Sequence, residues 1–231
     1  MGAILCLETS SRACSVAVGL DGNILSCCES EQENAHSSKL YTLIGVALSE
    51  AGLELSAIDA FAISKGPGSY TGLRIGVASA KGFCYSLDKP LLAVSTLKSL
   101  AYGMREKAQD EKSLLCPMLD ARRMEVYTAL FDMNLAEVSP VAAEIITESS
   151  FGSFLDSSKV IFAGEGATKC KSLLSHHDHA IFIDDMKLSA RFLYPIALQR
   201  FNASLFEDLA YFEPFYLKDF IAGKPRVKGL R

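Results

Sequence analysis

The chain has 231 residues, of which 49% are hydrophobic and 22% charged, and its net charge is −4. That is apolar material enough for one large or two small globular domains with a real core. The acidic balance argues against holding nucleic acid alone, which needs clustered Lys and Arg, and no apolar run approaches the ~20 residues of a membrane span.

The N-terminus runs Met1-Gly2-Ala3-Ile4-Leu5-Cys6-Leu7-Glu8. It enters a strand pattern directly, without the charged and apolar regions of a signal peptide. Seven cysteines with no Cys-x-x-Cys point to a reducing compartment without structural disulfides or a zinc site. A cytoplasmic protein is expected.

Residues 3–7 read as a buried strand. Residues 14–20 and 24–29 are two more strands, turned at Asp21-Gly22-Asn23, because Asp-Gly accepts positive φ. A helix follows over 36–51, with Leu40, Leu43, Ile44, Ala47, Leu48 and Ala51 on one stripe and Gly52 as its stop. Residues 60–64 read as a strand, 71–86 as a helix, 91–94 as a strand, and Ser95 or Thr96 caps a helix to about residue 107. The order then recurs. Strands are expected at 114–119, 125–131 and 141–146, a short helix at 149–155, a strand at 160–163, a helix over 167–174, a strand at 181–183 and a helix over 189–206. Strand, Gly-x-Gly, helix occurs at Gly66 and again at Gly164, while Glu8 and Asp120 end the first strand of each set. The pattern suggests a duplicated unit of three meandering strands followed by strand–helix–strand. The last eight residues carry Lys224, Arg226, Lys228 and Arg231, which read as a solvated basic terminus.

The stretch Lys65 to Phe83 holds Gly66, Gly68, Gly72, Gly76 and Gly82. It fits neither Gly-x-x-x-x-Gly-Lys-Ser/Thr nor Gly-x-Gly-x-x-Gly. Its loop reads as a tight turn into a helix capped by Ser69 or Thr71, or as an anion site at the helix start. Gly72, Gly76 and Ala80, with Ser79, leave one helix face nearly bare. Each helical glycine costs about 1 kcal/mol relative to alanine, and small residues at this spacing admit another backbone. That backbone belongs either to the same domain or to another subunit.

Leu7-Glu8-Thr9-Ser10, the segment Lys65-Gly66-Pro67-Gly68-Ser69-Tyr70-Thr71-Gly72-Leu73-Arg74-Ile75-Gly76, Val94-Ser95-Thr96-Leu97, Asp120-Ala121-Arg122 and Glu213-Pro214-Phe215-Tyr216-Leu217 resemble the bacterial TsaB (YeaZ) family. The glycine-rich segment is the specific one. The resemblance implies an α/β fold of the two-lobed actin/Hsp70/sugar-kinase type (ASKHA, ribonuclease H-like), each lobe a mixed sheet with helices. The first lobe would cover residues 1–100. The second, smaller and degenerate, would cover 101–231 and include the C-terminal helix and basic tail. The resemblance also implies a non-catalytic subunit for transfer of threonylcarbamoyl to the adenosine beside the tRNA anticodon. Its partners would be a catalytic TsaD-like paralogue and a TsaE-like ATPase, or a second copy when alone, with tRNA met only through the complex. No tight cofactor is implied beyond ATP or ADP at a subunit junction.

On this reading the partner interface comprises Leu40, Leu43, Ile44, Gly72, Leu73, Arg74, Ile75, Gly76, Ser79, Ala80 and Phe83. No catalytic residue and no metal ligand is expected. The helical His pair of the catalytic paralogue is missing, since Leu40 stands four residues after His36 and Gln32 four before. His176, His177 and His179 read as a polar loop. Thr9, Ser10 and Arg12 are candidate phosphate contacts, weakened by the lack of a glycine there. Glu8 and Asp120 either face one another as paired acids or are satisfied locally. Two alternatives share the fold class: an ATP-dependent phosphotransferase and a metallopeptidase-like hydrolase.

Overall fold

A computed structural model describes residues 2–30 and 36–218. The basic terminus beyond residue 218 lies outside them. The first unit contains β1 (Ala3–Glu8), β2 (Cys14–Leu20), β3 (Asn23–Ser30), α1 (His36–Ala51), β4 (Ala60–Gly66), α2 (Tyr70–Leu87) and β5 (Leu91–Ser95). After α3 (Thr96–Lys107), the second contains β6 (Leu114–Asp120), β7 (Glu125–Phe131), β8 (Glu137–Ile145), α4 (Gly152–Leu155), β9 (Val160–Ala163), α5 (Glu165–Leu174) and β10 (Ala180–Ile183); α6 (Ala190–Asn202) follows.

The two sheets have the same topology. The first is ordered β3-β2-β1-β4-β5 and the second β8-β7-β6-β9-β10. In each, the opening strand pairs antiparallel with the next and parallel with the fourth. This duplicated mixed sheet is the two-lobed actin/sugar-kinase-type architecture that the resemblance implies.

Burial explains the unbroken apolar run of β1. All six of its residues are buried. Ala3, Leu5 and Leu7 join one core with Leu40, Ile44 and Ala47 of α1 and Val77 and Ala80 of α2. Ile4 and Cys6 join another, with Ala190, Leu193 and Ala197 of α6. A strand covered on both faces has no polar alternation. In the second sheet, Leu97, Leu100 and Met104 of α3 cover one face. Ala167, Cys170 and Leu174 of α5 cover the other.

One boundary differs from the sequence reading. The C-terminal helix, placed there in the second lobe, packs across β1, β2, β4 and β5 of the first. Only its start touches the second lobe's core, through Phe192. The first sheet is apolar on both faces, α1 and α2 cover one, and the helix that covers the other comes from the end of the chain. It also stops four residues early, because Ser204 takes a left-handed conformation (φ 53°) and Leu205 N–H closes onto Arg200 O. The third strand of the second sheet starts earlier than expected and tolerates Pro140, since β8 lies at the sheet edge.

Candidate functional site

The bare face of α2 is covered by its own lobe. A Cβ on Gly72 would overlap the backbone oxygen of Thr9, and one on Gly68 the backbone oxygen of Ser10. A Cβ on Gly76 would meet the Thr9 hydroxyl and stand 2.8 Å from Ile63 Cδ1. The small residues therefore admit the loop after β1, whose Ser10 carbonyl accepts the Ser69 N–H at 2.6 Å. Ser69 in turn caps α2, its hydroxyl accepting from Gly72 N–H at 3.3 Å.

This corrects the expected interface. Leu40, Ile44, Gly72, Leu73, Gly76, Ser79 and Ala80 are buried within the lobe. Leu43, Ile75 and Phe83 are half-buried against the same core, and Phe83 stacks on Phe61 with centroids 5.3 Å apart. Arg74 alone of the set is exposed, with its guanidinium donating to Tyr70 Oη at 2.9 Å. A helix places three or four residues between points on one face, so the apolar stripes of α1 and α2 mark the faces turned inward.

The outward faces carry different residues. Tyr41 is 57% exposed, Val46 43% and Tyr85 84%. Gly45, Ala78 and Gly82 are exposed beside them. A Cβ on Gly45 or Gly82 would meet nothing within 4 Å. The Tyr41 and Ser79 hydroxyls are hydrogen-bonded at 3.1 Å, which joins the two helices at this surface.

A second feature is a cleft of about 590 Å³ between the lobes. Its walls are the loop after β1, the turn before α2, the β6–β7 turn, Tyr127, Glu165 and the segment from Phe215 to Lys218. Of the candidate phosphate contacts, Arg12 lines this cleft, Ser10 shows it only an edge, and Thr9 is fully buried. The Ser10 N–H and hydroxyl both donate to Glu8 Oε1, at 2.7 and 2.5 Å, so its donors are already spent.

Glu8 and Asp120 are not paired acids. Glu8 is fully buried, and its Oε1 also accepts from the Ser64 hydroxyl at 2.8 Å. Its Oε2 meets no hydrogen-bond partner among the described residues. Burial pushes the carboxyl up, against the opposing pull of the Ser10 and Ser64 hydrogen bonds. Asp120 lies at the cleft wall. Partial burial pushes it up, but Lys169, the Arg122 N–H and the charge of Arg12 more than offset this and hold it below the ordinary range. Each acid serves its own loop.

Lys169 was not singled out in the sequence. Its ammonium pairs with Asp120 and donates to the carbonyls of Arg123 (2.7 Å) and Glu125 (2.6 Å). It thereby holds a turn in which Arg122 and Arg123 are both left-handed, at φ 73° and 51°. A lone Lys on a short helix carries no sequence signal for such a role. In the histidine cluster, His179 Nδ1 lies 2.7 Å from Leu155 O and His177 Nε2 3.3 Å from Glu148 O, while the His176 ring packs on His177 with centroids 4.0 Å apart. Among the described residues no group of three or more His, Cys, Asp or Glu is placed to hold a metal ion, and no helix is long and apolar enough to cross a membrane.

The family model TsaD, tRNA N6-adenosine threonylcarbamoyltransferase, matches residues 24–222. The tRNA threonylcarbamoyladenosine biosynthesis protein TsaB of Haemophilus influenzae is 36% identical over 124 residues, covering 54% of this chain and 51% of that protein. TsaB of Escherichia coli is 34% identical over 134 residues, covering 57% and 55%. The chain belongs to this family, on its TsaB/YeaZ branch. The matched stretch spans about half the length of these curated relatives. The structural likeness to YeaZ from Pseudomonas aeruginosa is longer: 94% of this chain and 100% of that one, at 27% identity and a TM-score of 0.81. A second P. aeruginosa structure, described as similar to peptidase YeaZ, superposes with a TM-score of 0.83 at 26% identity and the same coverage. The segment that carries the TsaB/YeaZ resemblance, Lys65 to Gly76, is thus the turn and helix that clamp the loop after β1.

Proposed function

We propose that this chain is the non-catalytic subunit of an assembly that transfers threonylcarbamoyl to the adenosine beside the tRNA anticodon, and that it works in the cytoplasm by pairing with a TsaD-like catalytic paralogue. A TsaE-like ATPase joins the pair, tRNA is met through the assembly, and ATP or ADP sits at a subunit junction. A second copy of the chain takes the paralogue's place when it is alone.

The observation that carries this reading is the outward surface of α1 and α2. Aromatic Tyr41 and Tyr85 stand there beside small, open positions at Gly45, Ala78 and Gly82. Exposed aromatics around a low-relief centre suit a protein interface, where Tyr is enriched. The naming of TsaB relatives for tRNA threonylcarbamoyladenosine biosynthesis supplies the reaction. A non-catalytic role is supported by the engagement of both strand-end acids in holding their own loops.

The test is Ala78→Glu, which puts a charge at an exposed site. Co-purification with the paralogue is expected to fail while circular dichroism and Tm stay as in the wild type. Undiminished pairing would remove this surface from the interface. Threonylcarbamoyl transfer to tRNA by this chain alone would overturn the non-catalytic role.

A further inference from the structure

The end of the described chain crosses the cleft from one lobe to the other. After α6 the backbone returns along the first lobe. Glu207 N–H donates to Leu91 O at 2.9 Å, and the Lys81 ammonium donates to the carbonyls of Ala210 and Phe212 at 3.3 and 3.1 Å. Phe215 N–H then donates to Lys65 O at 2.7 Å. The Phe215 carbonyl oxygen lies 2.5 Å from where a Cβ on Gly66 would stand, and Gly66 itself is at φ 114°. Only glycine meets both demands. The Tyr216 ring packs on Tyr70 with centroids 5.1 Å apart. Two residues on, Lys218 pairs with Glu125, the first residue of β7 in the other lobe.

The two attachments differ in kind. On the first lobe the segment is held by backbone hydrogen bonding, ring packing and a glycine shaped to receive it. On the second, the attachment made by the described residues is one ion pair, with the Lys218 and Glu125 side chains 43% and 21% exposed. An ion pair that open to water is weak and salt-sensitive. It is therefore the end that releases.

We propose that residues 213–218 form a clasp that ties the lobes across the cleft, with Lys218–Glu125 as its catch, and that the catch sets how readily the Arg12 and Arg122 walls open to solvent. Glu125 suits this use, because Lys169 fixes the backbone of its turn from below through the Glu125 carbonyl. The proposal does not rest on the assembly reading. Ala78→Glu reads a different face, so either can fail without the other.

The experiment is hydrogen–deuterium exchange on the full chain for Glu125→Lys, Lys218→Glu and the double exchange of charges. In each single variant the cleft peptides containing residues 10–12, 66–71 and 119–123 exchange about two- to five-fold faster, the scale of an exposed ion pair. The double variant returns to the wild-type rate, which a general loss of stability would not do. Unchanged exchange in the single variants overturns the clasp. So does a double variant that stays as fast as the singles.

Discussion

Gly72→Ala and Gly82→Ala change the same helix by the same methyl group and are expected to move stability in opposite directions. In an open helix interior, alanine is favoured over glycine by about 0.8–1 kcal/mol. Gly82 is exposed and its Cβ position is empty to 4 Å, so Gly82→Ala gains close to that amount. At Gly72 the added carbon would overlap the Thr9 backbone oxygen. Backbone cannot swing aside as a long side chain does. The Thr9–Ser10 loop is also pinned by Ser69 N–H at 2.6 Å and by the Glu8 carboxyl. Overpacking of this kind costs about 1–3 kcal/mol or more. That exceeds the propensity gain, which is also smaller in the first turn of a helix. For a chain of this length each kcal/mol moves Tm by about 2–4 °C. Gly82→Ala is thus expected to raise Tm by about 2–4 °C, and Gly72→Ala to lower it by several degrees. Urea or thermal unfolding followed by circular dichroism reads both. If Gly72→Ala is as stable as Gly82→Ala while pairing with a partner is lost, the glycine face is an intermolecular surface and the Thr9–Ser10 loop does not pack against it.

Glu8→Gln is expected to raise stability at neutral pH. Glu8 is pushed above its ordinary value of 4.5 by burial. A carboxyl raised in this way favours the folded state in its protonated form, and that contribution is lost as pH climbs past 4.5. The Gln variant's advantage should grow as pH rises above 4.5 and level off below it; an advantage independent of pH would mean that Glu8 is not raised. Lys169→Met takes the ammonium away from Asp120 and from the carbonyls of Arg123 and Glu125, leaving Asp120 the Arg122 N–H and Glu125 O the Ala121 N–H, and is expected to cost about 1–3 kcal/mol. Amide exchange at Arg122–Glu125 should rise with it, and a loss of stability without local loosening would place the role of Lys169 elsewhere.

Local chemistry in the chain was enough to settle its repeated architecture. The β1 run is apolar without alternation because both of its faces are covered. Asp21-Gly22 turns the first hairpin, with both residues at positive φ. The stripe of Leu40, Ile44 and Ala47 marks the inward side of α1, and Glu8 and Asp120 each end the first strand of a matching sheet. These features depend on neighbours within a few residues, and periodicity reports them directly. The spacing of Gly72, Gly76 and Ala80 likewise announced that something comes close to α2. What comes close is Thr9 and Ser10, more than sixty residues earlier, and no local pattern carries that information. The same holds for α6, which crosses to the first sheet, and for Lys169 beneath a distant turn. It holds too for Phe215, whose carbonyl occupies the space that Gly66 leaves. Periodicity tells which face of an element is covered; the partner that covers it is chosen by packing across long stretches of chain, and only the folded structure contains that choice.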